Sequence, residues 1–151
     1  MEKIQWSNFE IYNVNDDDLD FAEDKVFPFI KNSKYRAVNT GIDQPAVQIN
    51  FEDFYPGPEI VWTLSHDEVH YVTKGKAKII CYLPPLMKEK KEATAVEGSV
   101  YFLPRGCRVI WEILGKKPFR HLCICFPNPG YPSKKANSLK DTVNFILERN
   151  F

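Results

Sequence analysis

The chain has 151 residues, 20 of them basic and 20 acidic, and 14% aromatic. That length suits a single domain with a full core. No basic excess exists to release counterions, which excludes nucleic acid and anionic membranes as expected partners, and no apolar run reaches the roughly 20 residues needed to span a bilayer.

Taken in chain order, the opening "MEKIQWSNFE" lacks a basic stretch followed by an apolar one, so no secretory signal is expected and the reading is cytoplasmic. The four cysteines, Cys81, Cys107, Cys123 and Cys125, form no CxxC pair and read as reduced, partly buried thiols. "NFEIYNV" (Asn8–Val14) is expected as a short strand, and "NDDDLDFAEDK" as a solvated acidic loop or a helix start. The proline in "VFPFIKN" argues against a continuous helix there. Residues 1–44 are therefore an N-terminal extension of strand and loop.

From Pro45 the pattern changes. Valine, isoleucine and aromatic residues recur in "AVQINFEDF", "EIVWTL", "EVHYVTK", "AKIICYL", "ATAVE", "SVYFLP", "RVIWEIL" and "FRHLCICF", separated by proline, glycine or charge. Many short strands with turn signals between them indicate an all-β sandwich or barrel over residues 45–131. "PPLMKEKKE" (Pro84–Glu92) reads as an exposed loop at a hairpin tip. Residues 132–151 read as a linker and a helix, with Leu139, Val143, Ile146 and Leu147 on one face and Ser138 as its cap.

The stretch "SHDEVHYVTKG" (Ser65–Gly75) holds two histidines and a glutamate around a strand that ends on a glycine. It is followed by "EGSVYFLPRGCRVIWEI", in which "PRG" turns sharply between two strands. This pair of glycine-anchored strands resembles the two motifs of the cupin superfamily. "WTLSHDEVHYVTKG", "GSVYFLPRG", "RVIWEI" and "CFPNPGY" are most similar to EutQ-type small cupins. The resemblance covers about half the chain, Ile60–Tyr131. It implies a jelly-roll double-stranded β-helix, single-domain with a C-terminal helix, usually a homodimer, with a small-molecule pocket inside the barrel. The N-terminal extension would then cover a sheet edge or a dimer contact.

Many cupins hold a divalent metal through three histidines and a glutamate. Glu68 matches the glutamate, whereas the histidine positions fall within Val61–Leu64 and at Val109, where this chain has none. The usual ligand set cannot be carried over. Side chains alternate along a strand, so His66, Glu68 and His70 share a face. Glu68 and His70, about 6.6 Å apart at Cα, can reach one ion. His66 joins them only if the chain bends near Ser65–Asp67. The last strand offers His121, Cys123 and Cys125 to complete a rebuilt site for zinc, iron, nickel or manganese.

Three readings stay open: a metal site from His66, Glu68 and His70; a metal-free acid/base pair of Glu68 and His70; or polar residues that fill the barrel. Trp62 and Trp111 are expected near the pocket, with Val109 on the face of Trp111 and with Arg105 and Arg108 flanking the turn. Asp67 is expected to cap the turn before its strand. No Gly-rich phosphate loop and no GxSxG elbow occur. The functional expectation is a small-molecule-binding cupin that acts on a small organic acid as a lyase, isomerase or decarboxylase. Its alternative is a non-catalytic ligand sensor or assembly partner.

Overall fold

The computed structural model describes residues 5–25 and 35–131, with Lys25 and residues 35–41 described by backbone alone. The helix and linker expected over 132–151 lie outside the described residues.

The acidic patch starts a short helix, α1 (Asp16–Asp20). Asn15 accepts the Asp18 N–H at 3.0 Å, and the Asp18 carboxylate accepts the Asn15 N–H at 2.9 Å, which forms a capping box. The strand expected at Asn8–Val14 does not form. Trp6 and Phe9 are 78% and 89% exposed, so no buried face rewards pairing there.

Among the described residues, ten strands follow: β1 (Asp24–Lys25), β2 (Tyr35–Gln44), β3 (Val47–Phe54), β4 (Ile60–Thr63), β5 (Asp67–Lys74), β6 (Lys76–Tyr82), β7 (Lys90–Ala95), β8 (Val100–Leu103), β9 (Arg108–Leu114) and β10 (Phe119–Phe126). They form two antiparallel sheets, a six-stranded one in the order β1-β2-β3-β10-β5-β8 and a four-stranded one in the order β4-β9-β6-β7. The result is an all-β cupin-like sandwich. β2, from the N-terminal extension, pairs along β3 and so extends the larger sheet. Part of the expected loop at Pro84–Glu92 belongs to β7, which starts at Lys90. β7 is an edge strand exposed on both faces over most of its length, so its lysines and glutamate lose no solvation.

Alternation decides what faces inward. Buried Ile60, Ala77, Ile79, Val109, Trp111 and Ile113 give the smaller sheet an apolar lining. Phe54, Val72 and Phe119 continue that core at one end of the larger sheet. Elsewhere its inner face is polar, with Gln48, Glu52, Glu68, His70 and His121 all buried. Gly75 fixes the sharp return from β5 to β6: its φ is +85°, and a Cβ there would lie 2.4 Å from the Pro118 carbonyl oxygen. No helix of the described residues is long and apolar enough to cross a membrane.

Candidate functional site

Strand register assembles the site. On the inner face, His121 of β10 lies opposite Glu52 of β3. Cys123 and Cys125 of β10 lie opposite His70 and Glu68 of β5. His70 in turn lies opposite Tyr101 of β8. Four neighbouring strands thus contribute one cluster.

Glu68 is the hub. Its Oε1 takes the Nε2 of His70 at 3.3 Å and the thiols of Cys123 and Cys125 at 2.8 and 3.4 Å. The chain bends at Ser65–His66 just before β5, which brings His66 to the other carboxylate oxygen, with Nε2 at 3.6 Å from Oε2. The bend that a shared site requires is therefore present. His66 is 1% exposed, and its Nε2 has no hydrogen-bond partner. Its Nδ1 is 3.2 Å from Ser65 Oγ.

Burial opposes ionisation of Glu68, but the imidazoles of His66 and His70 against its two oxygens outweigh it and hold the carboxyl well below the usual carboxylate range. Burial, and then the nearby His70, hold His121 below its ordinary value, so it is neutral at pH 7. Cys125 is drawn down by its hydrogen bond with Cys123, yet burial and the charges of Glu68 and Glu52 push it up to about 12. Burial likewise pushes Cys123 up. Without a cation, both thiols keep their protons.

Trp111 is buried, stacked on His70 with ring centroids 5.9 Å apart, and its indole N–H donates to Tyr101 Oη at 3.1 Å. Tyr101 Oη lies 2.7 Å from His70 Nδ1. Trp62 is half-buried and packs on Tyr131, whose ring also meets His66 edge-on at 5.2 Å. Buried Gln48 pins that tyrosine, donating to the Tyr131 carbonyl at 2.9 Å and accepting its N–H at 3.2 Å. Val109 is fully buried in the apolar lining, so the position where many cupins carry a histidine is filled by hydrocarbon here. Arg108 flanks the turn as expected; it is exposed and alternates with inward Val109, so it points away from the interior. Asp67 accepts the Arg105 N–H at 2.7 Å and thereby braces the "PRG" turn.

The donors fit a metal ion, though not through the usual cupin ligands. Two groups have ligand atoms within 4.8 Å of one another: Glu52, Glu68, His70 and Cys123, and His66, Glu68 and Cys125. The Nε2 of His66 is buried without a hydrogen bond and faces the Glu68 carboxylate at 3.6 Å, an arrangement that a bound cation would complete. Sequence reasoning had missed Glu52 and Tyr101. The signal for Glu52 was its place in "NFEDF", where it alternates with Phe51 and Asp53; Tyr101 looks like any core tyrosine until its hydroxyl partners are known.

The sequence matches no protein-family model and no curated protein. Solved structures do resemble the fold. A protein described as ethanolamine utilization protein Q from Salmonella typhimurium is 15% identical, with TM-score 0.56, over 83% of this chain and 99% of that one. KdgF from a Halomonas species is 15% identical, with TM-score 0.54, over 78% of this chain and 94% of that one. A formate complex of the Lactobacillus farciminis oxalate decarboxylase is 14% identical, with TM-score 0.55, over 72% of this chain but 32% of that one. At these identities the likeness establishes architecture, and the chain has the cupin fold.

Proposed function

We propose that this chain is a small-molecule-binding cupin that holds a divalent metal in its barrel and acts on a small organic acid or related metabolite, as a lyase, isomerase or decarboxylase. The observation that carries this reading is the buried His66–Glu68–Cys125 group, with an imidazole nitrogen that makes no hydrogen bond. Burying polar groups this deeply is costly unless something compensates them, and a cation would do so. A bound metal would supply Lewis-acid polarisation of a substrate oxygen. The chain's own residues would orient the substrate, exclude water and hold a proton on His70 beside the Glu68 carboxylate. The formate bound in the oxalate decarboxylase of like fold suits a carboxylic acid as the ligand class.

The reading also includes a second copy of the chain. Tyr71, Val100 and Phe102 are exposed together on the outer face of β5 and β8, and Phe102 meets Phe126 with ring centroids 6.2 Å apart. Such a patch suits a homodimer contact, and sedimentation of the purified chain tests it. Four free, buried cysteines accord with a reducing compartment such as the cytoplasm.

A non-catalytic sensor or assembly partner is the second reading, favoured by the hydrocarbon at Val109. Elemental analysis of the purified protein for zinc, iron, nickel and manganese, with thermal melts against a panel of small carboxylic acids, separates the two. Stoichiometric metal and an acid that raises the melting temperature support the first. Absence of both sinks it. A protein that binds an acid but gains nothing from metal is a sensor.

A further inference from the structure

The reading of a metal-holding barrel leaves open where the ion sits, because the two candidate groups share Glu68 and compete for it. We propose that the ion sits on the His66 side, held by His66 Nε2, the Glu68 carboxylate and Cys125 Sγ, and that His70 stays outside the coordination sphere, positioned by Tyr101 and Trp111 as a hydrogen-bond donor to Glu68.

The first argument is the direction of one chain of hydrogen bonds. An indole N–H can only donate. Trp111 Nε1 therefore occupies an acceptor site of Tyr101 Oη. The phenol proton then has one partner among the described residues, His70 Nδ1 at 2.7 Å. With Nδ1 accepting, neutral His70 carries its proton on Nε2, the nitrogen that faces Glu68 Oε1 at 3.3 Å. A nitrogen that bears this proton has no lone pair for a metal. If His70 ligated through Nε2, Nδ1 would have to carry the proton, and the buried Tyr101 hydroxyl would be left with nothing to donate to.

The second argument is independent and concerns His66. Its Nε2 is buried and without a hydrogen bond, and Ser65 Oγ stands at Nδ1 as an outer partner able to orient the ring. The separations also suit shared ligation. Metal–nitrogen and metal–sulfur bonds of about 2.1 and 2.3 Å in a tetrahedron put neighbouring donors about 3.3–3.8 Å apart. Glu68 Oε2 to His66 Nε2 is 3.6 Å, and one ligand atom from each of His66, Glu68 and Cys125 lies within 4.8 Å of the others. In the competing group, by contrast, Glu52 already accepts from His121 at 3.3 Å. An imidazole, a carboxylate and a thiolate suit zinc, and three protein donors leave a position open for a substrate oxygen.

The test is zinc binding by the full chain, measured by competition with a chromophoric chelator. Wild type should take one zinc per chain. His66→Ala and Cys125→Ser should weaken binding by more than the ~10–100-fold typical of losing an outer-shell partner, with folding checked by circular dichroism and His66→Gln as a second variant. His70→Ala should keep the stoichiometry and shift affinity by less than about tenfold. Imidazole 15N shifts should show His70 protonated at Nε2 in the wild type and mixed between its nitrogens in Tyr101→Phe, which a purely structural role for Tyr101 would not produce. If His70→Ala abolishes binding and His66→Ala does not, the ion belongs to the other group and the assignment is overturned, while the metal reading survives. If the wild type takes no zinc or other divalent ion, both fall.

Discussion

Strand β10 carries a buried ionic cluster on each side, and the two differ in how fully their atoms are paired. On the outer side, Arg120 is 2% exposed and makes four hydrogen bonds to three carboxylates: Nε and Nη2 to Asp53 at 2.8 and 2.9 Å, Nη1 to Asp16 at 2.8 Å, and Nη2 to Asp20 at 2.7 Å. Bonding to Asp53 first of all, and then to the two helix aspartates, pushes the guanidinium further up from its ordinary value. On the inner side, next along the strand, the Glu68 cluster leaves His66 Nε2 and His121 Nδ1 without a hydrogen bond. A saturated cluster holds parts together, and Arg120 fastens α1 to the sheet. An unsaturated one could take a metal ion.

Breaking the saturated cluster should have the largest effect. Asp53→Ala removes the buried partner of Arg120 and leaves its guanidinium only the more exposed Asp16 and Asp20, and urea melts should show a loss of up to about 3 kcal/mol. The inner cluster should be told apart by its response to metal. Glu68→Gln should lower the melting temperature of chelator-treated protein, because the folded chain holds that carboxyl below its ordinary value. It should also erase the zinc-induced stabilisation, which for wild type is about 2.7 kcal/mol when free zinc is 100 times its dissociation constant. A Glu68→Gln protein that still gains stability from zinc would falsify the contrast between the two sides. Asp20→Ala removes only a half-exposed arm of the outer cluster and should cost about 1 kcal/mol or less in the same melts. The smallest effect sharpens the inner side. Because burial and acidic neighbours keep Cys123 and Cys125 protonated, the native thiols should react slowly with an alkylating reagent at neutral pH and fast after denaturation. Rapid modification of either cysteine in the folded chain would show the cluster to be more open than it looks.

Glu68 and His70 were legible as an inward pair because they sit two apart on a strand, and the site bears that placement out with both buried and in contact. His66 was legible only conditionally, since its role turns on a bend. For Arg108, nearness to a turn says nothing about which face the side chain takes; its parity with Val109 does. Tyr101 and Glu52 escaped notice because their partners lie 31 and 69 residues away in the chain. Such partners become neighbours only through strand order.

By itself, the sequence determined what depends on local geometry. Period-two alternation set the faces of β5 and β10, and glycine at positive φ set the return after Lys74. The repeated short strands called for an all-β fold. Tertiary structure alone decided which strands lie side by side and in what register, and so which thiol meets which carboxylate. Those contacts join residues far apart in the chain, and no local preference encodes the pairing that brings them together.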